Sequence, residues 1–306
     1  MPIISNHNKS ASSYPQVEKI YNQMSNENAT VIDTQWMTPD ELDVHVTTAL
    51  DNNQKVVVMN WWDEMRGDFR RGLYENKDVL VLFNEWVWLK NCEQNFARCT
   101  WDEVQPQSFD NTYLCYMNKV KPWRQDLYNV LSKHQGVLSL GTKKHFKETI
   151  TYTTGMESDL VAVVDELPPT VDVYSLGDLS LWNKHFLNIV SEGLHGTYYP
   201  VWITEKTFKP IIGSRPFIIY GHPETAQRLQ SVGFETFDEE FEHNPHTDFT
   251  VHANLIGDII NNVKKENLES WYEKLIPKIK HNFENWRSYA IIQHEKAMNQ
   301  VKEFLC

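Results

Sequence analysis

Thr204-Glu205-Lys206 is the tripeptide of this 306-residue chain whose residue types and spacing could do chemistry. Ile203, Phe208, Ile211 and Ile212 follow a helical spacing that Gly213 ends, so Thr204 is placed as an N-cap with Glu205 and Lys206 in the first turn. Unpaired N–H groups at such a helix start attract an anion, Lys206 adds a mobile positive charge, and Glu205 can accept from a pair of sugar hydroxyls. A diphosphate joined to a ribose satisfies all three. The same residues also suit a plain capping arrangement, with Lys206 and Lys209 on a solvated face.

Two further sets could act beside it. Asp63 and Glu64 follow the valine-rich run Lys55–Met59, and Glu85 follows the apolar run Val79–Phe83. Groups just beyond the carboxyl ends of strands line ligand crevices in open α/β sheets, so these carboxylates are candidate general bases, Glu85 before the others. Their tryptophan neighbours would raise a carboxyl pKa toward that task; ordinary turn acids are the plain alternative. The third set follows the strand Tyr113–Met117: Asn118, a basic loop, and Arg124 near the start of a helix. An arginine there can grip two phosphate oxygens, or it can lie at the surface paired with Asp126 or Asp102.

Positioning these groups takes strands and helices in alternation, which is an α/β pattern. Ala29–Asp33, Lys55–Met59, Val79–Phe83, Tyr113–Met117, Val137–Leu140, Phe186–Val190, Arg215–Tyr220 and Phe234–Phe237 read as strands. Helices are expected at Val17–Met24, Pro39–Leu50, Trp123–Lys133, Glu224–Val232, Phe249–Lys265, Leu268–Ile279 and Phe283–Phe304. Residues before Ser25 otherwise read as a loose polar arm. Asp238–Asp248 reads as a solvated acidic loop, although His243 and His246 also invite a metal reading.

The stretch Pro200–Phe237 resembles the donor-binding segment of the fucosyltransferase-like glycosyltransferases. There, an aromatic residue, a hydrophobic residue and Thr-Glu-Lys precede a short helix and a strand ending in glycine; here these are Trp202, Ile203, Thr204, Glu205, Lys206 and Pro216–Gly221. The family commonly has an acidic residue and a tyrosine before the motif, where this chain has Val201 and Trp202. The resemblance extends to the segment Tyr113–Lys133 and implies that Asn118 and Arg124 face the donor, Arg124 on the pyrophosphate. It also matches Glu192, after the strand Phe186–Val190, to a glutamate beside the Thr-Glu-Lys loop. It implies two Rossmann-like domains facing a cleft, the GT-B type. Residues 1–110 would be the acceptor-side domain and 111–282 the nucleotide-sugar-binding domain, with a helix over 283–306 that packs back on the first.

The reaction expected on this basis moves a sugar from a GDP- or UDP-linked donor to a hydroxyl of a glycan or related acceptor, with no metal ion and no cofactor beyond the donor. Trp202 would lie against the base, and Arg124, Lys206 and the helix start would stabilise the leaving diphosphate. Two alternatives use the same site: a phage-type DNA-base glycosyltransferase, and a non-catalytic nucleotide- or glycan-binding module. The net charge of -12 disfavours a broad grip on nucleic acid. The absence of an Asp-X-Asp motif argues against a divalent-ion donor clamp. Four cysteines without metal spacing fit a reducing compartment; Cys92 and Cys99 could pair in an oxidising one. No run suffices for a membrane span, so a soluble viral or bacterial protein in a bacterial cytoplasm is expected.

Overall fold

The computed structural model describes residues 3–5, 14–24, 29–34, 37, 39–60, 75–83, 100–117, 120–140, 176, 182–193, 195–196, 201 and 203–306. They form an α/β protein with two parallel four-stranded sheets and seven helices. The chain divides into two compact units, Met1–Glu93 with Ser288–Cys306, and Gln94–Arg287.

In the first unit the strands β1 (Ile3–Ser5), β2 (Ala29–Asp33), β3 (Lys55–Asn60) and β4 (Val79–Phe83) lie side by side in chain order. Val31, Val57, Val58 and Met59 are fully buried, as expected of apolar strands covered on both faces. Helix α1 (Tyr14–Met24) lies between β1 and β2 in the chain. Helix α2 (Pro39–Asp51) carries Asp40 and Glu41 in its first turn, where carboxylates suit the helix dipole. Leu42, Val46 and Ala49 make its apolar stripe against Ile32, Val56, Val58 and Val79. Asn53 then closes the helix in the left-handed region (φ 55°). The strand β1 was not expected in a loose arm; Ile3 and Ile4 pair in register with Val31 and Ile32, which gives the apolar pair a reason to order.

The second unit holds β5 (Asn111–Met117), α3 (Pro122–Leu131), β6 (Val137–Leu140), β7 (His185–Ser191), α4 (Glu205–Ile212), β8 (Phe217–Tyr220), α5 (Thr225–Ser231) and α6 (Phe249–Val263). Its sheet runs β6-β5-β7-β8, all parallel. The chain therefore steps one way from β5 to β6 and then crosses to β7 on the other side of β5. In open parallel sheets such a reversal, here between β5 and β7, marks where a crevice forms at the carboxyl ends of the strands. Helix α6 rides close on α3, since a Cβ at Gly257 would come within 2.6 Å of Val130 Cγ1.

Two expectations change here. Phe234–Phe237 is not a strand: Asn282 Oδ1 accepts from Glu235 N (2.7 Å) and Asn282 Nδ2 donates to Glu235 O (2.9 Å). A side chain thus satisfies the backbone that a neighbouring strand would have used. The two C-terminal helices are one, α7 (Leu268–Leu305), because Lys280-His281-Asn282 contains no residue that breaks a helix. The part of α7 from Ser288 onward belongs to the first unit, where Lys55 Nζ donates to Phe304 O (2.5 Å). Among the described residues no helix is long and apolar enough to cross a membrane.

Candidate functional site

Glu192 is the hub at the switch point of the second sheet. It follows Ser191, the register partner of Tyr220, and its own N–H donates to Tyr220 O (3.0 Å). The side chain is then held between β8 and the start of α4. Gly221 gives room for this approach, since a Cβ there would lie 3.0 Å from Glu192 Cβ, tighter than ordinary van der Waals contact. The carboxylate accepts from Thr204 N (3.2 Å) and Thr207 Oγ1 (2.5 Å) at Oε1, and from Thr204 Oγ1 (2.8 Å) and Gly193 N (3.2 Å) at Oε2. A 2 % exposed carboxylate is thus satisfied by four donors and sits at the positive end of α4.

Arg124 reaches the same point from α3. Its Nη2 donates to Ser191 O and Glu192 O (3.0 Å each), and its Nε to Ser191 Oγ (3.2 Å). Burial lowers its pKa from the ordinary arginine value, and Glu192, Cys115 and Glu205 oppose that fall. The guanidinium, 2 % exposed, braces the end of β7 and supplies positive field there, so Arg124 is not a surface residue. Asp126 accepts from Thr250 Oγ1 (2.6 Å). Close by, burial pushes the Cys115 thiol up to about 12, against the pull of Arg124. Lys121, just before α3, donates from Nζ to Gly193 O (2.5 Å) and lies over the Trp123 ring.

The tripeptide completes the group. Thr204 is extended (φ -113°, ψ 179°), and its Oγ1 accepts from Lys206 N (3.3 Å), the N-cap that its position in the chain predicts. Lys206 Nζ donates to Thr204 Oγ1 (3.2 Å) and Glu205 Oε1 (2.5 Å). Burial raises the Glu205 pKa, but Lys206 and, more weakly, Lys209 outweigh it, so the carboxyl stays below the usual range and ionised. Lys206 is about one-third exposed and Glu205 12 %. The pair is therefore half-open to a ligand and already neutralised by its own members.

Arg124, Glu192, Thr204, Glu205 and Lys206 thus meet at one end of one sheet. Asn118 and Trp202 lie outside the described residues, as do Asp63, Glu64 and Glu85. Because Glu192 already occupies part of the α4 dipole, Lys206 and the Arg124 field carry most of what the site offers an anion.

A second polar group at the same end of the sheet was not legible from motifs. His195 Nε2 and His252 Nδ1 are 3.0 Å apart, His252 Nε2 and His243 Nε2 2.9 Å, and His243 Nδ1 and Asp238 Oδ1 2.6 Å. All three histidines are buried, so His243 does not belong to a solvated loop; His246 does, and accepts from Asp248 N (2.9 Å). Tyr220 packs its ring on His195 at 4.5 Å and donates its hydroxyl toward Trp123 O and Phe249 O. The position of His252 on the inward face of α6 was the available signal. Among the described residues, no group of three or more His, Cys, Asp or Glu is placed to hold a metal ion. Comparison with protein-family models, with curated proteins and with solved structures found no match to this chain.

Proposed function

We propose that this protein is a glycosyltransferase that moves a sugar from a nucleoside-diphosphate sugar to a hydroxyl of a glycan or related acceptor. The observation that carries this reading is the Glu192 hub: one buried residue takes Arg124, from the first strand–helix unit of the second sheet, on its backbone carbonyl and Thr204, at the start of Thr204-Glu205-Lys206, on its carboxylate. Such a crevice is where open parallel sheets bind nucleotides. Lys206 would hold the diphosphate, Glu205 the ribose hydroxyls, and the Arg124 field would stabilise charge developing on the leaving group. Asn118 and Trp202 belong to the same proposal, as donor contacts implied by the family resemblance, and so does the GT-B type of domain pairing. Asp63, Glu64 and Glu85 stand in it as carboxylates that could take the acceptor's proton.

Calorimetric titration with UDP and GDP tests the donor site. At least one should bind the wild type, and Lys206→Ala should weaken it about tenfold, which is about 1.4 kcal/mol, without changing the unfolding midpoint. A wild type that binds neither diphosphate, or a Lys206→Ala variant that binds as tightly, contradicts the assignment.

A further inference from the structure

The histidine chain at the site end of the second sheet has a property that follows from its geometry when its three rings are uncharged. With His243 neutral and its Nδ1–H donating to the Asp238 carboxylate, His243 Nε2 is left as an acceptor. His252 must then donate from Nε2 and accept at Nδ1, and His195 must donate from Nε2. One carboxylate so sets three tautomers, and the outer nitrogen, His195 Nδ1, carries a lone pair. That atom is buried without a hydrogen-bond partner.

The chain can take up one proton and no more. A proton arriving at His195 Nδ1 leaves both inter-imidazole hydrogen bonds in place, and hops along them until the charge rests on His243 beside Asp238. A second proton would force two N–H groups head-on across a gap of 2.9–3.0 Å. No heavy atom has to move in the first case.

We propose that Asp238, His243, His252 and His195 form a proton relay serving the site at the end of the second sheet, with His195 Nδ1 as the atom that accepts the proton of the acceptor hydroxyl. This rests on the transferase reading and gives it a proton acceptor other than Asp63, Glu64 or Glu85. As the acceptor O–H bond breaks, its proton goes to His195 Nδ1 and its oxygen bonds to the sugar's anomeric carbon. The bond from that carbon to the diphosphate oxygen breaks, and its electron pair leaves with the diphosphate. His195 then passes its Nε2 proton to His252 Nδ1, and His252 passes its Nε2 proton to His243 Nε2. The placement supports the role. His195 lies three residues after Glu192, on the segment that leads to Thr204, and its ring packs on Tyr220, whose hydroxyl meets the carbonyl of Trp123 beside Arg124.

Asp248 at the start of α6, His222 after β8 and His246 in the preceding loop are the other ionisable groups acting on His195; His246 also acts on His252. Burial holds His195 near 4 and His252 near 2, so these two rings are uncharged at neutral pH.

The experiment is nitrogen-detected NMR of the full chain with labelled histidine, followed by hydrolysis of UDP- and GDP-sugars with water as acceptor. At pH 7 His195 should be protonated at Nε2 and bare at Nδ1, and Asp238→Asn should mix the tautomers of all three rings. A His195 protonated at Nδ1, or unmoved by Asp238→Asn, overturns the relay. His195→Gln and His252→Asn should each slow hydrolysis about a hundredfold or more with diphosphate affinity unchanged, and Asp238→Asn should move the acid limb of the rate profile. Wild-type rates in these variants, with Glu85→Gln inactive, overturn the role of His195, as does a wild type that binds the donor without any turnover. A protein that binds neither UDP nor GDP removes the transferase reading and the base role with it, while the tautomers still decide the relay.

Discussion

The two parallel sheets have the same number of strands and differ in their order. In the first, β1-β2-β3-β4 follow the chain, each connection steps in the same direction, and the described strands leave no reversal at which a crevice opens. In the second, β6-β5-β7-β8 reverses beside β5. Buried polar residues follow that contrast. The described part of the first unit buries Thr30, Asp33 and Thr34, with Asp33 accepting from Tyr21 Oη (3.1 Å). The second buries two arginines, a glutamate and five histidines among its polar residues, including Arg124, Arg215, Glu192, His195 and His252. A sheet that keeps its strands in chain order can be closed by valine and leucine; a sheet with a switch point must hold loops against strand ends, and charged side chains do the holding.

Arg215 offers the hardest test of that contrast. At 1 % exposure it donates to His185 O (3.1 Å), Val104 O (2.7 Å), Gly213 O (3.0 Å) and Ser214 O (2.8 Å), and also to Trp182 O. Burial lowers it to about 10, while Tyr272 opposes the shift, so it stays charged at neutral pH. Arg215→Met strips the donor from five carbonyls and should cost on the order of 3–5 kcal/mol, read as a lower urea midpoint for amide protection in β7 and β8. Equal loss in β2 and β3, or a loss under about 1 kcal/mol, would break the contrast between the units.

Glu192→Ala should come next. It removes an acceptor from four donors and leaves Arg124 without its compensating charge, at a cost of about 2–3 kcal/mol, with nucleoside-diphosphate binding lost as α4 loosens. Glu192→Gln keeps part of the hydrogen bonding and should fall between the two.

The smallest effect is a pH dependence confined to the second unit. The folded pKa values of His195 and His252 lie below the ordinary histidine value of about 6.5, so the unfolded chain binds more protons in that window. The stability they contribute is complete above about 6.5 and is lost as pH falls toward 4 for His195 and toward 2 for His252, at about 1.4 kcal/mol per pH unit for each histidine. Hydrogen exchange at pH 7, 6 and 5 should show β7 and β8 weakening ahead of β2 and β3, and His252→Asn should flatten that slope. Parallel weakening of both sheets would show that the titrating group is elsewhere.

Local chemistry made part of this readable in advance. Thr204 before a helical apolar spacing, with Gly213 after it, foretold α4 and its cap, and the valine runs foretold β3 and β4. What escaped was set by contacts distant in the chain. Asn282 replaces a strand partner for Glu235; Arg215 looked like the first residue of a strand and turned out to be a staple for five carbonyls. His195, His243 and His252 are too far apart in sequence to announce a hydrogen-bonded chain. Arg124 was visible as a basic residue at a helix start, yet only the structure shows that the end of β7 engages its Nε and Nη2. Asn118, Trp202, Asp63, Glu64 and Glu85 are not among the residues described.

Hydrogen-exchange mapping of the whole chain with and without UDP or GDP is the most direct test of the central claim, that the second sheet's switch point clasps a nucleoside diphosphate. Protection should rise at 191–193 and across 203–209 and stay unchanged in β2 and β3. Protection that appears only in the first unit, or none at the Glu192 hub with either diphosphate at saturating concentration, would contradict it.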